Sequence, residues 1–316
     1  MTLEVRIDRI TYKSKDVTSF ELVPIEGDTL PRFTAGAHID VLLPNGLKRS
    51  YSLLNDPDED FRYEFAVQIE PNSRGGSRYI HDHFKVGQIL TICAPENNFV
   101  LQEGGSEYIL IGGGIGVTPL ISMAWRLKLV GANFSVHYGS RTRERQAFRK
   151  DVQTFSDYAN VHIYLDDEAQ MGKLDVAALL AIPRTSAHIY CCGPEGLLAA
   201  VKEASRDWPA GSVHFESFEP PQLASPTNGE IDFEVEVAST GQIVPVAASE
   251  TILDALRRCN VAVESSCESG TCGTCMVRYL SGTPHHCDYI LGDSEQQNFL
   301  IPCVSRAKSK RLVLDI

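Results

Sequence analysis

The chain has 316 residues, 43% of them hydrophobic and 22% charged, the composition of an ordinary globular protein with length for roughly two or three domains. A formal net charge of −12 argues against nucleic acid as a partner and is compatible with docking to a basic protein surface. No apolar run approaches the ~18 residues of a membrane span; MTLEVRIDRITYKSK lacks a signal-peptide core, and nine cysteines, an odd number, do not make a secreted disulfide framework. A cytoplasmic protein with reduced thiols is expected.

Residues 1 to 102 read as strands. After the alternating N-terminus come VTSFELVPI, HIDVLLP, RSYSLL, RYEFAVQIE and QILTIC, separated by Gly, Pro, Asn and Asp, with one short helix at SRYIHDHF. This spacing predicts an antiparallel β-barrel. Two of its segments have the chemistry of an anion site. Arg49 in R-S-Y-S can pair with a phosphate as a fork, Tyr51 can lie against a flat ring, and Ser52 can hydrogen-bond a ring nitrogen; the plainer reading is an exposed strand. R-G-G-S at Arg74–Ser77 precedes the short helix. Its glycines admit an anion to the backbone, and the helix N-terminus offers free N–H groups. A Gly-rich hairpin turn is the plainer reading here.

From residue 103 the rhythm changes. Strands at EYILIGGG, NFSVHYGS, NVHIYLDD, AHIYCCG and GSVHFESF alternate with helices at 118–129, ERQAFRKDVQTF, LDVAALLA and PEGLLAAVKEASRDW. The alternation predicts a doubly wound parallel α/β sheet over 103–222. G-G-G-I-G-V-T-P at Gly112–Pro119 follows the first of these strands and opens a helix, the position of a nucleotide phosphate loop. It departs from G-x-G-x-x-G, since Val117 takes the last Gly place, and no acidic residue stands about 20 residues on. C-C-G-P at Cys191–Pro194 ends a central strand at the edge where ligands of open α/β sheets bind. Cys191 reads as packing, and Cys192 as the better candidate to touch a ligand.

The Pro-rich stretch EPPQLASPTNGE places a linker at 223–230. Over 231–316 a hairpin (IDFEVEVAS, GQIVPVAA), an amphipathic helix (TILDALRRCN) and a closing strand (KRLVLDI) frame Cys267, Cys272, Cys275 and Cys303. The C-x4-C-x2-C…C spacing is that of a plant-type [2Fe–2S] ferredoxin, whose two irons take two thiolates each. The loop supplies three and a distant strand end the fourth. A zinc ribbon would need a second C-x2-C. Cys287 competes for the fourth place, but only 11 residues separate it from Cys275. His285, His286 and Cys287 in one run do not make the two-loop Rieske pattern, and read as a loop.

In this order, R-S-Y-S, R-G-G-S, G-G-G-I-G-V-T-P, C-C-G-P, H-F-E-S-F and C-E-S-G-T-C-G-T-C resemble the phthalate dioxygenase reductase family over essentially the whole chain. The cluster at the C-terminus resembles the phthalate and vanillate reductases, which use FMN, rather than the benzoate and methane types. The resemblance implies a flavin-binding β-barrel, a nucleotide domain and a β-grasp ferredoxin-like domain. Arg49, Ser50, Tyr51 and Ser52 would bind FMN; Val67 would approach its ring through the backbone; Gly75, Gly76 and Ser77 would hold the 5′-phosphate; Thr118 would lie near the flavin. Phe218 would stack where the nicotinamide enters, and Gly114, Gly116, Cys192, Gly193 and Pro194 would line the NADH site.

The function expected is the reductase component of a multicomponent oxygenase. A hydride passes from NADH to FMN, then single electrons pass through the cluster to a Rieske-type, non-haem iron oxygenase. Flavin is needed because nicotinamide gives two electrons at once and metal-centred oxygenases accept one. No catalytic acid, base or nucleophile is required. Two alternatives stand beside it: an FAD-containing reductase feeding a di-iron hydroxylase, and a non-enzymatic iron–sulfur redox sensor. The resemblance favours NADH, whereas Arg141 and Arg143 after the second parallel strand open a reading with the 2′-phosphate of NADPH.

Overall fold

The computed structural model describes residues 1–27, 29–69, 75–168, 172–218 and 232–316. Arg74 and the linker expected at 223–230 lie outside the described residues. Contacts divide the chain into two units, Met1–His214 and Phe215–Ile316.

In the first unit, β1 (Thr2–Ser14), β2 (Val17–Pro24), β3 (His38–Leu42), β4 (Lys48–Ser52), β5 (Tyr63–Gln68) and β6 (Ile89–Cys93) form one antiparallel sheet, ordered β4-β3-β6-β1-β2-β5. Alternation in these strands sends Val5, Ile7, Phe20, Leu22, Ile39, Val41, Phe65 and Ile92 into one buried cluster. The two edge strands meet beyond the end of β4, where Leu53 bridges Phe65 and the Leu54 N–H donates to the Glu64 carbonyl at 2.9 Å, so the sheet curls as a barrel does. Helix α1 (Gly76–His83) buries Ile80, and Phe84 at its end packs edge-on against Phe20.

The same unit continues through β7 (Glu107–Gly113), α2 (Val117–Leu129), β8 (Phe134–Ser140), α3 (Arg149–Gln153), β9 (Asn160–Leu165), α4 (Val176–Leu180), β10 (Ala187–Cys192), α5 (Glu195–Ala204) and the first half of β11 (Val213–Glu216), within which the division between the units falls. The sheet order is β11-β10-β7-β8-β9, with β7, β8, β9 and β10 parallel. The chain winds outward from β7 to β9 and returns to β10 on β7's other side, so the switch point falls between β7 and β10, the place where open sheets bind ligands. Leu120, Met123 and Leu127 of α2 share one buried cluster with Val17, Leu54, Ala66 and Phe99 from the antiparallel part, which joins the two sheets through a common core.

The helix expected over 144–155 is broken. A 3-10 turn at Arg143–Arg145 is followed only by the five-residue α3. Gln146 and Phe148 are both buried. Their backbones leave the helical region, with ψ of 77 at Gln146 and 23 at Phe148, and tertiary burial overrides helix propensity.

The second unit holds β12 (Phe233–Val237), β13 (Gln242–Val246), α6 (Ile252–Arg258), β14 (Val277–Ser281), β15 (Pro284–His285), β16 (Phe299–Leu300), β17 (Arg306–Ala307) and β18 (Arg311–Leu314). The main sheet runs β13-β12-β18-β14-β16; β12 and β13 are an antiparallel hairpin and β18 lies parallel to β12. Helix α6 buries Ile252, Ala255 and Leu256 in that sheet's core, the β-grasp arrangement. Its start is fixed by Thr251, whose Oγ1 accepts from the Asp254 N–H at 3.0 Å.

Candidate functional site

The first candidate region lies where β4 meets the N-terminus of α1. Strand alternation sends Arg49 and Tyr51 to one face and Ser50 to the other. There the Ser50 hydroxyl donates to Asp40 Oδ1 at 2.5 Å, with Lys48 on Oδ2 at 2.7 Å, so the backbone is the part of Ser50 left for a ligand on the Arg49 face. Lys48 and Ser50 together hold the Asp40 carboxyl below the usual carboxylate range, against the upward push of burial. The Tyr51 ring rests 5.2 Å from Phe65, and burial pushes its phenol pKa up.

Arg49 crosses directly over Gly76: a Cβ built on Gly76 would lie 2.5 Å from Arg49 Nε, so the guanidinium reaches the helix N-terminus only because this residue has no side chain. Gly75 supplies the turn, with φ +94. Ser77 sits in the first turn of α1. The buried Ser52 Oγ has no hydrogen-bond partner among the described residues, an orphan of the kind a bound polar group satisfies. The Val67 carbonyl accepts from His81 Nε2 at 2.9 Å, a tie between β5 and α1 that only folding reveals. Two glycine N–H groups at a helix start, an overlying guanidinium and an unpartnered hydroxyl fit a phosphate-bearing flavin.

The second region is the β7–β10 switch point. Gly113 ends β7, Gly114–Gly116 form a 3-10 turn and α2 follows. Cys192 pairs with Gly112 in the parallel register, which sets C-C-G-P beside the glycine loop. A Cβ on Gly116 would come 2.5 Å from the Cys192 carbonyl oxygen and 2.7 Å from Gly193 N, and one on Gly113 would come 2.7 Å from Pro194 Cδ. The two backbones therefore touch, and side chains are excluded between them. On Gly114 a Cβ would meet nothing within 4 Å, so the loop's outer face is open, as a nucleotide phosphate requires. Thr118 is buried and its hydroxyl donates to the Ile115 carbonyl at 2.9 Å; it closes the turn. Cys191 and Cys192 are both fully buried. At the same carboxyl edge, Arg143 grips Glu168 through two hydrogen bonds of 2.8 and 2.7 Å. Phe218 lies beyond β11 and is 44% exposed.

The third region is in the second unit. All nine cysteines are free thiols. Cys267 and Cys272 interact as neighbouring sulfurs, as do Cys275 and Cys303. Within each pair one thiol stabilises the other as thiolate, so the two sulfurs titrate as a unit. Further donors gather on the sulfurs: Ser269 N–H on Cys267 at 3.5 Å, and the Thr274 hydroxyl beside Cys272 at 3.2 Å. Among the described residues no three His, Cys, Asp or Glu converge as for a single metal ion; four sulfurs grouped two and two fit a two-iron cluster.

Cys303 sits in a turn between β16 and β17 rather than at a strand end. Cys287 is exposed, its thiol 3.8 Å from the His285 carbonyl. The loop after it has a role that sequence reasoning missed. The buried Asp288 carboxylate accepts from the Ile290 and Leu291 N–H groups, and the Tyr289 N–H donates to the Gly270 carbonyl at 3.1 Å, strapping residues 288–291 across the cysteine loop. An Asp after H-H-C is a signal for a turn, but not for where that turn lies.

Residues 110–203 match the family described as oxidoreductase NAD-binding domain, and residues 235–308 match the 2Fe-2S iron-sulfur cluster binding domain. A solved structure of phthalate dioxygenase reductase, described as modular for electron transfer from pyridine nucleotides to [2Fe-2S], is 38% identical, with a TM-score of 0.68 over 100% of this chain and 98% of that one. The chain belongs to the phthalate dioxygenase reductase family. Tetrachlorobenzoquinone reductase from Sphingobium chlorophenolicum is 41% identical over 100% of this chain and 98% of its own. An intact type IV self-sufficient cytochrome P450 monooxygenase is 35% identical with a TM-score of 0.73; this chain spans 41% of its length. As a family member the chain is an oxidoreductase, the reductase component of an oxygenase system, with pyridine-nucleotide, flavin and [2Fe–2S] centres.

Proposed function

We propose that this chain takes a hydride from NADH onto FMN and delivers single electrons through its [2Fe–2S] cluster to a Rieske-type non-haem iron oxygenase in the cytoplasm. The observation that carries the reading is the pairing of Cys267 with Cys272 and of Cys275 with Cys303 on a chain that also holds a helix-start phosphate cradle and a switch-point glycine loop. Bound flavin supplies the conversion between two-electron and one-electron transfer, and the bound cluster the one-electron relay.

The residues have binding and orienting roles. Arg49, Gly75, Gly76 and Ser77 hold the FMN phosphate; Tyr51, Ser52 and the backbones of Ser50 and Val67 seat the ring, with Thr118 fixing the loop beside it. Gly114, Gly116, Cys192, Gly193 and Pro194 shape the nucleotide crevice, and Phe218 covers the place the nicotinamide enters. Cys267, Cys272, Cys275 and Cys303 hold the cluster. The domains run 1–102, 103–222 and 231–316, joined by a linker at 223–230. NADH is favoured over NADPH because Arg143, placed to meet a 2′-phosphate, is neutralised by Glu168 through its Nε and Nη2. No helix among the described residues is long and apolar enough to cross a membrane.

Two measurements test this reading. The flavin released by heat has the mass of FMN; stoichiometric FAD would overturn the FMN assignment. NADH with catalytic amounts of this chain reduces the Rieske centre of a purified phthalate- or vanillate-type oxygenase, seen by electron paramagnetic resonance; reduction of a di-iron hydroxylase alone would overturn the partner class.

A further inference from the structure

Glu268 directly follows the first cluster cysteine and has φ +51, one of three non-glycine residues with positive φ among the described residues. L side chains rarely adopt that conformation. The same loop uses glycine for its other positive-φ positions, Gly270 and Gly273 at φ +76 and +78. A glutamate kept at such a position points to a task for its side chain. Its Oε1 accepts from Arg257 Nη2 at 2.5 Å and from Ser265 Oγ at 2.9 Å, and Arg257 Nη2 also donates to Ser265 Oγ. Arg257 stands in the last turn of α6, whose other face is buried in the sheet core. The three side chains thus tie the entrance of the cysteine loop to a fixed helix. Next along the loop, the Ser269 N–H points at Cys267 Sγ. The Arg257 cation is held charged by Glu268 first, with Asp254 and the Cys275 sulfur adding to it, so it lies within the field of the cysteine cage.

We propose that Arg257, Ser265 and Glu268 form a clamp that positions the Cys267 end of the cluster loop, and that its two opposite charges act on the cluster's reduction potential with opposite signs. The inference rests on the cluster being held by the four cysteines. The physical ground is simple. Adding an electron to the cluster is favoured by a nearby cation and opposed by a nearby anion, and cluster potentials respond to local charge and to hydrogen bonds on sulfur. Side-chain exposures of 43% and 44% for Arg257 and Glu268 screen the effect without abolishing it.

The test uses the full chain with flavin and cluster loaded. The midpoint potential is followed by electron paramagnetic resonance during reductive titration, and cluster retention by bleaching of the visible absorption in an iron chelator. Arg257→Gln shifts the potential downward, Glu268→Gln shifts it upward, and the double variant returns close to wild type. Each single variant bleaches several-fold faster. Arg257→Lys keeps the charge and loses the guanidinium Nη2 that reaches both Ser265 and Glu268: its potential stays near wild type while bleaching is faster. Shifts of the same sign, or no shift with unchanged bleaching, overturn the clamp. Cys272→Ser, measured alongside, separates the two levels: a normal cluster in that variant refutes the ligand set itself rather than the clamp.

Discussion

At Gly76 and Gly116 the absence of a side chain is what makes each site possible. Arg49 lies over Gly76, and the Cys192 carbonyl lies over Gly116. The two contacts differ in how they yield. A guanidinium can swing away from a new methyl group; a carbonyl in a central strand cannot. Gly116→Ala therefore separates the two loops, with a stability loss of about 1–3 kcal/mol, as for overpacked interiors, and an increase in KM for NADH; a melting curve and steady-state kinetics check both. Arg49→Ala weakens flavin binding by the worth of a charge-assisted hydrogen bond, about 1.5–3 kcal/mol, or roughly 10- to 150-fold in Kd, read by flavin fluorescence on dilution. The R-S-Y-S and R-G-G-S motifs could be proposed from the sequence because their residue types suit an anion and a flat ring. Glu268 and Asp288 were not. A left-handed φ, and a carboxylate-bound turn whose Tyr289 N–H reaches the chain-distant Gly270 carbonyl, exist only once the loop is folded, and Glu and Asp in a polar run look like solvated surface.

Among the elements, strands were the most readable, because a half-buried sheet imposes a period of two on the chain. The helix read over 144–155 failed for the complementary reason: its composition favours helix, but Gln146 and Phe148 both turn inward beside β9. The parallel sheet also carries histidines that ordinary patterning does not explain. His137 of β8 stacks on His162 of β9 at 4.8 Å, and His214 of β11 hydrogen-bonds His188 of β10 at 3.1 Å. Burial first, then the neighbouring His162 for His137 and His188 for His214, lowers both His137 and His214 to about 4, from 6.5. In the unfolded chain these rings take up protons below about pH 6.5, whereas in the fold they stay neutral until about 4. Unfolding thus binds protons in that window, and stability falls as pH drops from 6.5 towards 4, by up to about 1.4 kcal/mol per pH unit for each ring. Urea unfolding across this range shows the slope, and replacing His137 by Gln flattens it.

At the scale of the molecule, the first unit joins an antiparallel sheet and a parallel sheet through one core, in which Met123 and Leu127 of α2 meet Val17, Leu54 and Phe99. A flavin cradle and a nucleotide crevice built on such a body keep their separation without a hinge. The second unit has its own sheet and its own buried cluster, so the cysteine cage can be damaged without harm to the other two sites. That independence gives the most direct test of the account, in which electrons leave the flavin only through the cluster. Cys272→Ser loses the visible iron–sulfur absorption and NADH-driven reduction of cytochrome c, while NADH oxidation with a two-electron dye continues at close to the wild-type rate. Undiminished cytochrome c reduction in a variant shown to lack the cluster would contradict it.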